Sequence, residues 1–207
     1  VGQFNASNIV QALIICTSLG FDGRTVAEQL SKCKGAEGRM ERVSIKADDS
    51  DLPIVFVDYA HTPDALENVA STLSGLKSST QKLTIIFGCG GDRDRTKRPK
   101  MAAVAEKYAD YVTITSDNPR SEDPDAIIRE IVAGFSDGFS YNTVTSRKDA
   151  IHTVISDSNG DDIILIAGKG HETYQEVNGN RIHFDDREEA STALSWKRGQ
   201  IKNSEVY

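Results

Sequence analysis

Asp117, Asn118 and Arg120 stand within one short stretch, Ser116-Asp117-Asn118-Pro119-Arg120-Ser121-Glu122-Asp123-Pro124, and offer an acceptor, an amide and a planar cationic fork. That set suits a small zwitterion carrying an ammonium and a carboxylate, because guanidinium pairs with carboxylate bidentately. The same residue types also build ordinary turns, since Asp and Asn cap backbone N–H groups and Pro stops a helix. Nine residues do not separate a binding turn from a plain one.

Three more polar stretches raise the same question. Tyr59-Ala60-His61-Thr62-Pro63-Asp64 follows an apolar run that ends at Asp58. Gly88-Cys89-Gly90-Gly91-Asp92-Arg93 follows a second run, with Arg95, Lys97 and Arg98 behind it. Gly168-Lys169-Gly170-His171-Glu172-Thr173-Tyr174-Gln175 follows a third. A lone His such as His61 is more often a capping or packing residue than a catalytic one. Gly88-Cys89-Gly90-Gly91 has the glycines of a phosphate loop without the G-x-G-x-x-G spacing, and Gly168-Lys169-Gly170 lacks the spacer and the Ser/Thr of a P-loop. Cys89 sits beside a basic run that could lower its pKa. It has no neighbouring base and reads as structural.

The elements around these stretches explain why they belong together. Apolar, β-branched runs at 54–58, 83–87, 111–115 and 162–167 predict buried strands, with a short strand at Thr143-Val144. Helical patterns at 63–76, 99–108, 125–133, 148–155 and 186–196 alternate with them. Residues 175–184 predict a hairpin turning at Asn178-Gly179-Asn180, which could add an antiparallel edge, and the tail after Arg198 reads as frayed. The alternation defines an α/β fold, a Rossmann-like, doubly wound, mostly parallel sheet. Ligands bind outside the carboxyl ends of such strands, so all four polar stretches fall on one rim. One polar turn is unremarkable. Four on one rim make a candidate site.

Ahead of the sheet, two helical patterns run from a cap at Ser7 to Gly20 and from Asp22 to Lys34. About forty residues cannot close a core of their own. Residues 1–43 therefore read as the tail of a preceding domain, with 35–42 as the crossing and 44–207 as the next domain. The first residue is Val1 rather than Met, and the expectation is a C-terminal piece of a longer protein.

Of the 207 residues 38% are hydrophobic and 27% charged, as in an ordinary globular protein. The net charge of -7 argues against nonspecific nucleic-acid or anionic-membrane partners, which need a basic face. No apolar run approaches the ~20 residues that span a bilayer. Cys16, Cys33 and Cys89, an odd set in no metal-ligand spacing, fit a reducing compartment better than a disulfide framework.

Taken in order, Asp58-Tyr59-Ala60-His61-Thr62-Pro63-Asp64-Ala65-Leu66, Gly88-Cys89-Gly90-Gly91-Asp92-Arg93-Asp94, Asp117-Asn118-Pro119-Arg120 and Gly168-Lys169-Gly170-His171-Glu172 resemble the motifs of the Mur ligase family. The resemblance runs over essentially the whole chain and is strongest to the diaminopimelate-adding branch. It implies that residues 1–43 close the central ATP-binding domain, and that 44–207 form the C-terminal domain that presents the amino acid. It further implies a cytoplasmic ligase of peptidoglycan synthesis. In that family ATP, with Mg²⁺, activates the D-glutamyl carboxylate of UDP-MurNAc-dipeptide as an acyl phosphate, and the amine of meso-diaminopimelate attacks it. The P-loop, Mg²⁺ ligands and carbamylated lysine would belong to upstream ATPase and UDP-binding domains, leaving these residues inactive alone. By resemblance Asn8 would contact adenine, while Arg39, Asp58 and His61 would line the ribose and phosphates. Arg93, Asp117, Asn118, Arg120, Gly168 and Glu172 would hold diaminopimelate; no catalytic or metal-ligating residue is implied here. Lysine-adding relatives lack the arginine of the Asp-Asn-Pro-Arg turn. The charge argument agrees, because lysine would leave a buried Arg unpaired. The alternative from another class is a non-catalytic relative, such as a plastid subunit of a transcription complex, serving as an interaction module. A folylpolyglutamate synthetase would not be expected to carry the turn.

Overall fold

A computed structural model describes residues 3–33, 35–45 and 51–204. Its centre is a six-stranded sheet in the order β1-β2-β6-β3-β4-β5, from β1 (Glu41–Val43), β2 (Ile54–Asp58), β3 (Leu83–Phe87), β4 (Tyr111–Thr115), β5 (Tyr141–Val144) and β6 (Ile163–Ala167). Strands β2 to β6 run parallel, and only β1, on β2, is antiparallel. Parallel neighbours need crossovers, supplied by α3 (Pro63–Leu76), α4 (Lys97–Tyr108), α5 (Pro124–Val132) and α6 (Arg147–Asp157), while the last helix, α7 (Asp186–Ser204), packs beside α6.

Side chains alternate across each strand, so β6 divides its apolar residues between two cores. Leu165 joins Phe56, Leu66, Ile85, Met101, Ile114 and Ile131 under α3, α4 and α5. Ile164 and Ile166 join Val55, Val57, Ile86, Ile151 and Leu194 under α6 and α7. Register then fixes the rim: Asp58 and Phe87 both stand opposite Ala167, and Phe87 stands opposite Ile114. The helices that leave the rim start sharply. Thr62 caps α3 with Pro63 in its first turn, and Asp123 caps α5 with Pro124 in the same place.

Several expectations are corrected. The hairpin, β7 (Tyr174–Val177) with β8 (Asn180–His183), forms a separate two-stranded sheet, and the antiparallel edge comes from Glu41–Val43, read as part of the crossing. The backbone of β7 is engaged instead by the turn after β4. Helix α7 continues to Ser204, because Ile201 packs on the second core rather than fraying. In the N-terminal part, α1 (Gln3–Ser18) starts before Ser7, which lies inside the helix and accepts from Gln11 rather than capping. Helix α2 (Gly23–Leu30) is capped by Asp22, and Gly20 has the left-handed φ of 91° expected after α1. The residues of the pair whose exposure is described, 6–33, are exposed or half-buried throughout.

Candidate functional site

The rim turns open onto one cleft of about 470 Å³, lined by Tyr59, His61, Lys97, Arg93, Asp117, Asn118, Arg120, Gly168, Glu172 and Tyr174 among others. All six residues expected to hold an amino acid are there. Of the nucleotide set only His61 lines the cleft.

The turn after β4 is built almost without freedom. Asp117 and Asn118 are buried, at 7% and 3% exposure, yet both border the cleft. The Asn118 carbonyl accepts from Gly91 N at 2.9 Å, and the Asp117 carbonyl accepts from Gln175 Nε2 at 2.7 Å. Arg120 has a left-handed φ of 52°, unusual for a residue with a Cβ. Two backbone bonds hold it there: Arg120 N donates to Glu176 O (3.1 Å) and Asn178 N donates to Arg120 O (2.7 Å). Its Nη1 donates to Gly91 O at 2.8 Å.

The glycines after β3 have a different task from the one their composition suggests. A Cβ on Gly91 would lie 1.9 Å from Pro119 O, so this glycine lets the loop lie against the Asp117 turn. Arg98, fully buried on α4, fastens the loop to the turn by donating to both oxygens of Glu122 (2.9 and 3.0 Å), to Glu130 (2.7 Å) and to Gly90 O (3.3 Å). The Arg98 guanidinium and the Asp92 N–H hold the Glu122 carboxyl down at about 2. Cys89 donates to Met101 Sδ at 3.7 Å and is inert: burial pushes its thiol up to about 12.

On β6 the chain turns at Gly168, with φ 121°, where an added Cβ would come within 2.7 Å of Asp117 Oδ2. A side chain there would be strained by that φ and would push the Asp117 carboxylate aside. Lys169, fully buried, donates to Asn118 Oδ1 (3.0 Å) and Tyr174 O (2.6 Å), with Asp117 Oδ1 at 3.6 Å and Glu172 Oε2 at 3.9 Å. Burial lowers its pKa, although Asp117 pulls the other way. Asn118 Nδ2 donates to Glu172 Oε2 at 3.1 Å. Beneath the rim, buried Arg147 donates to both oxygens of Asp186 at 2.7 Å and to Ser116 O and Ala167 O, tying the ends of β4 and β6 to α7. Burial opposes its charge, and the Asp186 pair more than restores it.

Beside the Tyr59 wall of the cleft, which it does not itself line, the Arg39 guanidinium lies over the Tyr59 ring, 5.1 Å from its centroid, and Tyr59 meets the rings of His61 (4.6 Å) and His171 (5.2 Å). Lys97 Nζ donates to His61 O at 2.8 Å. Asp58, expected along the nucleotide, is 3% exposed and faces inward, accepting from Ala60 N (2.8 Å) and Met40 N (2.7 Å). Burial raises its pKa against those two donors. Its carboxylate is filled by backbone and ties the crossing to the end of β2. Asn8 is exposed on α1 and does not line the cleft.

Sequence reasoning missed the cations that do the fastening. Arg98 stands in a basic run with Arg95 and Lys97 that does not single it out, Arg147 and Asp186 stand far apart in the chain, and Lys169 lies in a Gly-Lys-Gly stretch without P-loop spacing.

A parallel α/β domain with a polar, charged cleft outside the carboxyl ends of its strands has the build of a ligand-binding α/β domain. Residues 38–170 match the family model described as Mur ligase, glutamate ligase domain, and the chain belongs to that family. It is 47% identical over 195 residues to the UDP-N-acetylmuramoyl-L-alanyl-D-glutamate--2,6-diaminopimelate ligase of Parasynechococcus marenigrum, covering 94% of this chain and 39% of that protein. The ligase of the same name from Geobacillus thermodenitrificans is 45% identical over 199 residues, with 96% and 40% covered. A solved structure of a ligase of that name aligns with a TM-score of 0.73 at 42% identity, over 96% of this chain and 39% of that one. At the level of fold alone, UDP-N-acetylmuramate-alanine ligase MurC from Thermotoga maritima aligns at 0.65 with 19% identity, over 97% and 39%. The chain thus spans about two-fifths of the length of the relatives it matches.

Proposed function

We propose that this chain is the amino-acid-presenting part of an ATP-dependent ligase that adds meso-diaminopimelate to UDP-N-acetylmuramoyl-L-alanyl-D-glutamate. The carrying observation is charge placement: Arg93 and Arg120 line the same cleft as Asp117 and Glu172. Diaminopimelate has a distal carboxylate and a distal ammonium. The arginines with Asn118 Nδ2 suit the first; Asp117, Glu172 and the Gly168 carbonyl suit the second. With that end held, the other amine is free to point out of the cleft toward an activated carboxyl. The rate gain from these residues is positioning and charge neutralisation, and closure on the preceding domain would exclude water.

The other end of the cleft fits a phosphate. Arg39, His61 and Lys97 put cationic or N–H groups around Tyr59. We assign ATP phosphate contact to Arg39 and His61, and adenine contact to Asn8 within the assembled protein. Asp58 supports that end indirectly, by holding the crossing that carries Arg39. Among the described residues no group of three or more His, Cys, Asp or Glu is placed to hold a metal ion. We assign the Mg²⁺ that would neutralise the phosphates, and the P-loop, to upstream ligands, and the chain alone should neither hydrolyse ATP nor ligate. Among the described residues no helix is long and apolar enough to cross a membrane; the cytoplasmic site of action is proposed from the ATP that the ligation would consume.

The test is calorimetric titration of the chain with meso-diaminopimelate and, separately, with L-lysine, followed by ATP-dependent ligation assays on the natural protein that carries it. Saturable diaminopimelate binding with little or no lysine binding supports the proposal. Equal binding of both removes the specificity argument, and binding of neither favours an interaction module.

A further inference from the structure

Lys169 is the fully buried cation of the rim whose role the substrate assignment leaves open. Its ammonium has three protons, and the fold uses them. Asn118 Oδ1 (3.0 Å) and Tyr174 O (2.6 Å) accept two, and Asp117 Oδ1 at 3.6 Å faces the third. With 0% exposure it does not reach the cleft as a ligand donor. What it does is decide which way Asn118 points. An amide has one acceptor end and one donor end, and the two are exchanged by a flip. Here two donors converge on Oδ1: Lys169 Nζ and Glu176 N at 2.9 Å. Nδ2 is thereby turned toward Glu172 Oε2, at 3.1 Å, on the wall of the cleft.

We propose that Lys169 is a positioning residue for amino-acid selection: it locks the Asn118 amide with its donor edge toward the cleft. It joins three segments at one point, namely the turn after β4, the loop after β6 and the first residue of β7. A flipped Asn118 would present an oxygen to Glu172 and to the distal carboxylate of the ligand, replacing an attraction by two repulsions. Lysine, with no distal carboxylate, would lose little from the flip. Lys169 therefore acts on the diaminopimelate-over-lysine ratio rather than on affinity in general. This inference rests on the proposed diaminopimelate site.

The experiment is a double-mutant cycle read by titration with meso-diaminopimelate and with L-lysine. Lys169→Met keeps the length of the side chain and removes the donor. It should weaken diaminopimelate binding about tenfold or more and move lysine binding far less. In an Asn118→Ala background the same change should matter less than about threefold, because the group it acts through is gone. A full penalty in that background overturns the proposal. The second readout needs no ligand. In ¹⁵N spectra the Asn118 side-chain amide pair, identified by its loss in Asn118→Ala, should shift and exchange faster with solvent in Lys169→Met; an unmoved pair overturns the proposal. Should Lys169→Met fail to fold, Asn118→Asp takes its place. It keeps an acceptor for Lys169 and Glu176 N but turns an oxygen to the cleft, so it should fold and lose diaminopimelate selectivity; retained selectivity overturns the proposal. Failure of the wild-type chain to bind diaminopimelate would instead reject the site, with the amide spectra still reporting on Lys169.

Discussion

Arg120 combines a side chain suited to a carboxylate with a backbone conformation suited to glycine, at φ 52°. The two features can be separated. Arg120→Ala removes the fork and keeps the strain, so diaminopimelate affinity should fall on the order of a hundredfold with ATP affinity unchanged in the natural protein. Arg120→Gly should lose the same affinity yet be about 1 kcal/mol more stable than the Ala variant, because glycine adopts this φ freely. Titration with thermal denaturation of both variants checks this; near-wild-type binding by either would reduce Arg120 to a turn residue. Cys89 offers a second residue-level test, since a buried thiol with its pKa pushed up to about 12 has almost no thiolate at neutral pH. Alkylation of the native chain should label exposed Cys33 and half-buried Cys16 and spare Cys89 until unfolding. The residues that face the cleft were legible in the sequence, because four polar turns, each following an apolar run, must fall on one rim of a parallel sheet. Arg98, Lys169 and Arg147 were not, because a buried cation has no sequence signature apart from its partners, and those are 24, 51 and 39 positions away.

Among the elements, the β7–β8 hairpin positions the site without belonging to the main sheet. Its Asn178-Gly179 turn was readable from the dipeptide, and both residues have positive φ, 49° and 75°. Where the hairpin docks was not readable, because it joins the Asp117–Arg120 turn through backbone groups at Glu176 and Asn178, which every sequence possesses. The same reason hid β1, three residues whose pairing with β2 is set by backbone hydrogen bonds rather than by an apolar pattern. Gly179→Ala tests the mechanical link. An added Cβ meets nothing within 4 Å, so only the conformational cost of about 1 kcal/mol remains. The hairpin should open more often, the Arg120 amide should exchange faster with deuterium, and diaminopimelate binding should weaken a few-fold with the fold intact. Unchanged exchange at Arg120 would mean the turn holds itself.

Across the whole molecule, charge and exposed apolar surface set the conditions under which the fold persists. The Glu122 carboxyl is held at about 2, below its ordinary 4.5, by the buried Arg98 guanidinium. A depressed carboxyl contributes its full stability above 4.5 and loses it as the pH falls toward 2. Glu122→Gln should therefore lower stability at neutral pH and flatten the acid limb over that window, as read by denaturant titrations at stepped pH. The last question concerns α1 and α2. Ile9, Val10, Ile14, Ile15, Leu19 and Phe21 are all exposed, and α2 has no buried residue. Apolar surface of that extent invites association, and helices without a buried face draw little stability from tertiary packing. The amides of α1 and α2 should exchange far faster than those of β2, β3 and β6, which sit between two cores. Ile14→Asp combined with Leu19→Asp should suppress concentration-dependent association in sedimentation runs. It should shift the melting of the α/β part by less than about 2 °C, since no core contact is lost. Diaminopimelate binding should be unchanged, because the cleft lies on the sheet's rim. A marked fall in melting temperature or in binding would show that the helices support the sheet, and the division of the chain at the crossing would then be wrong.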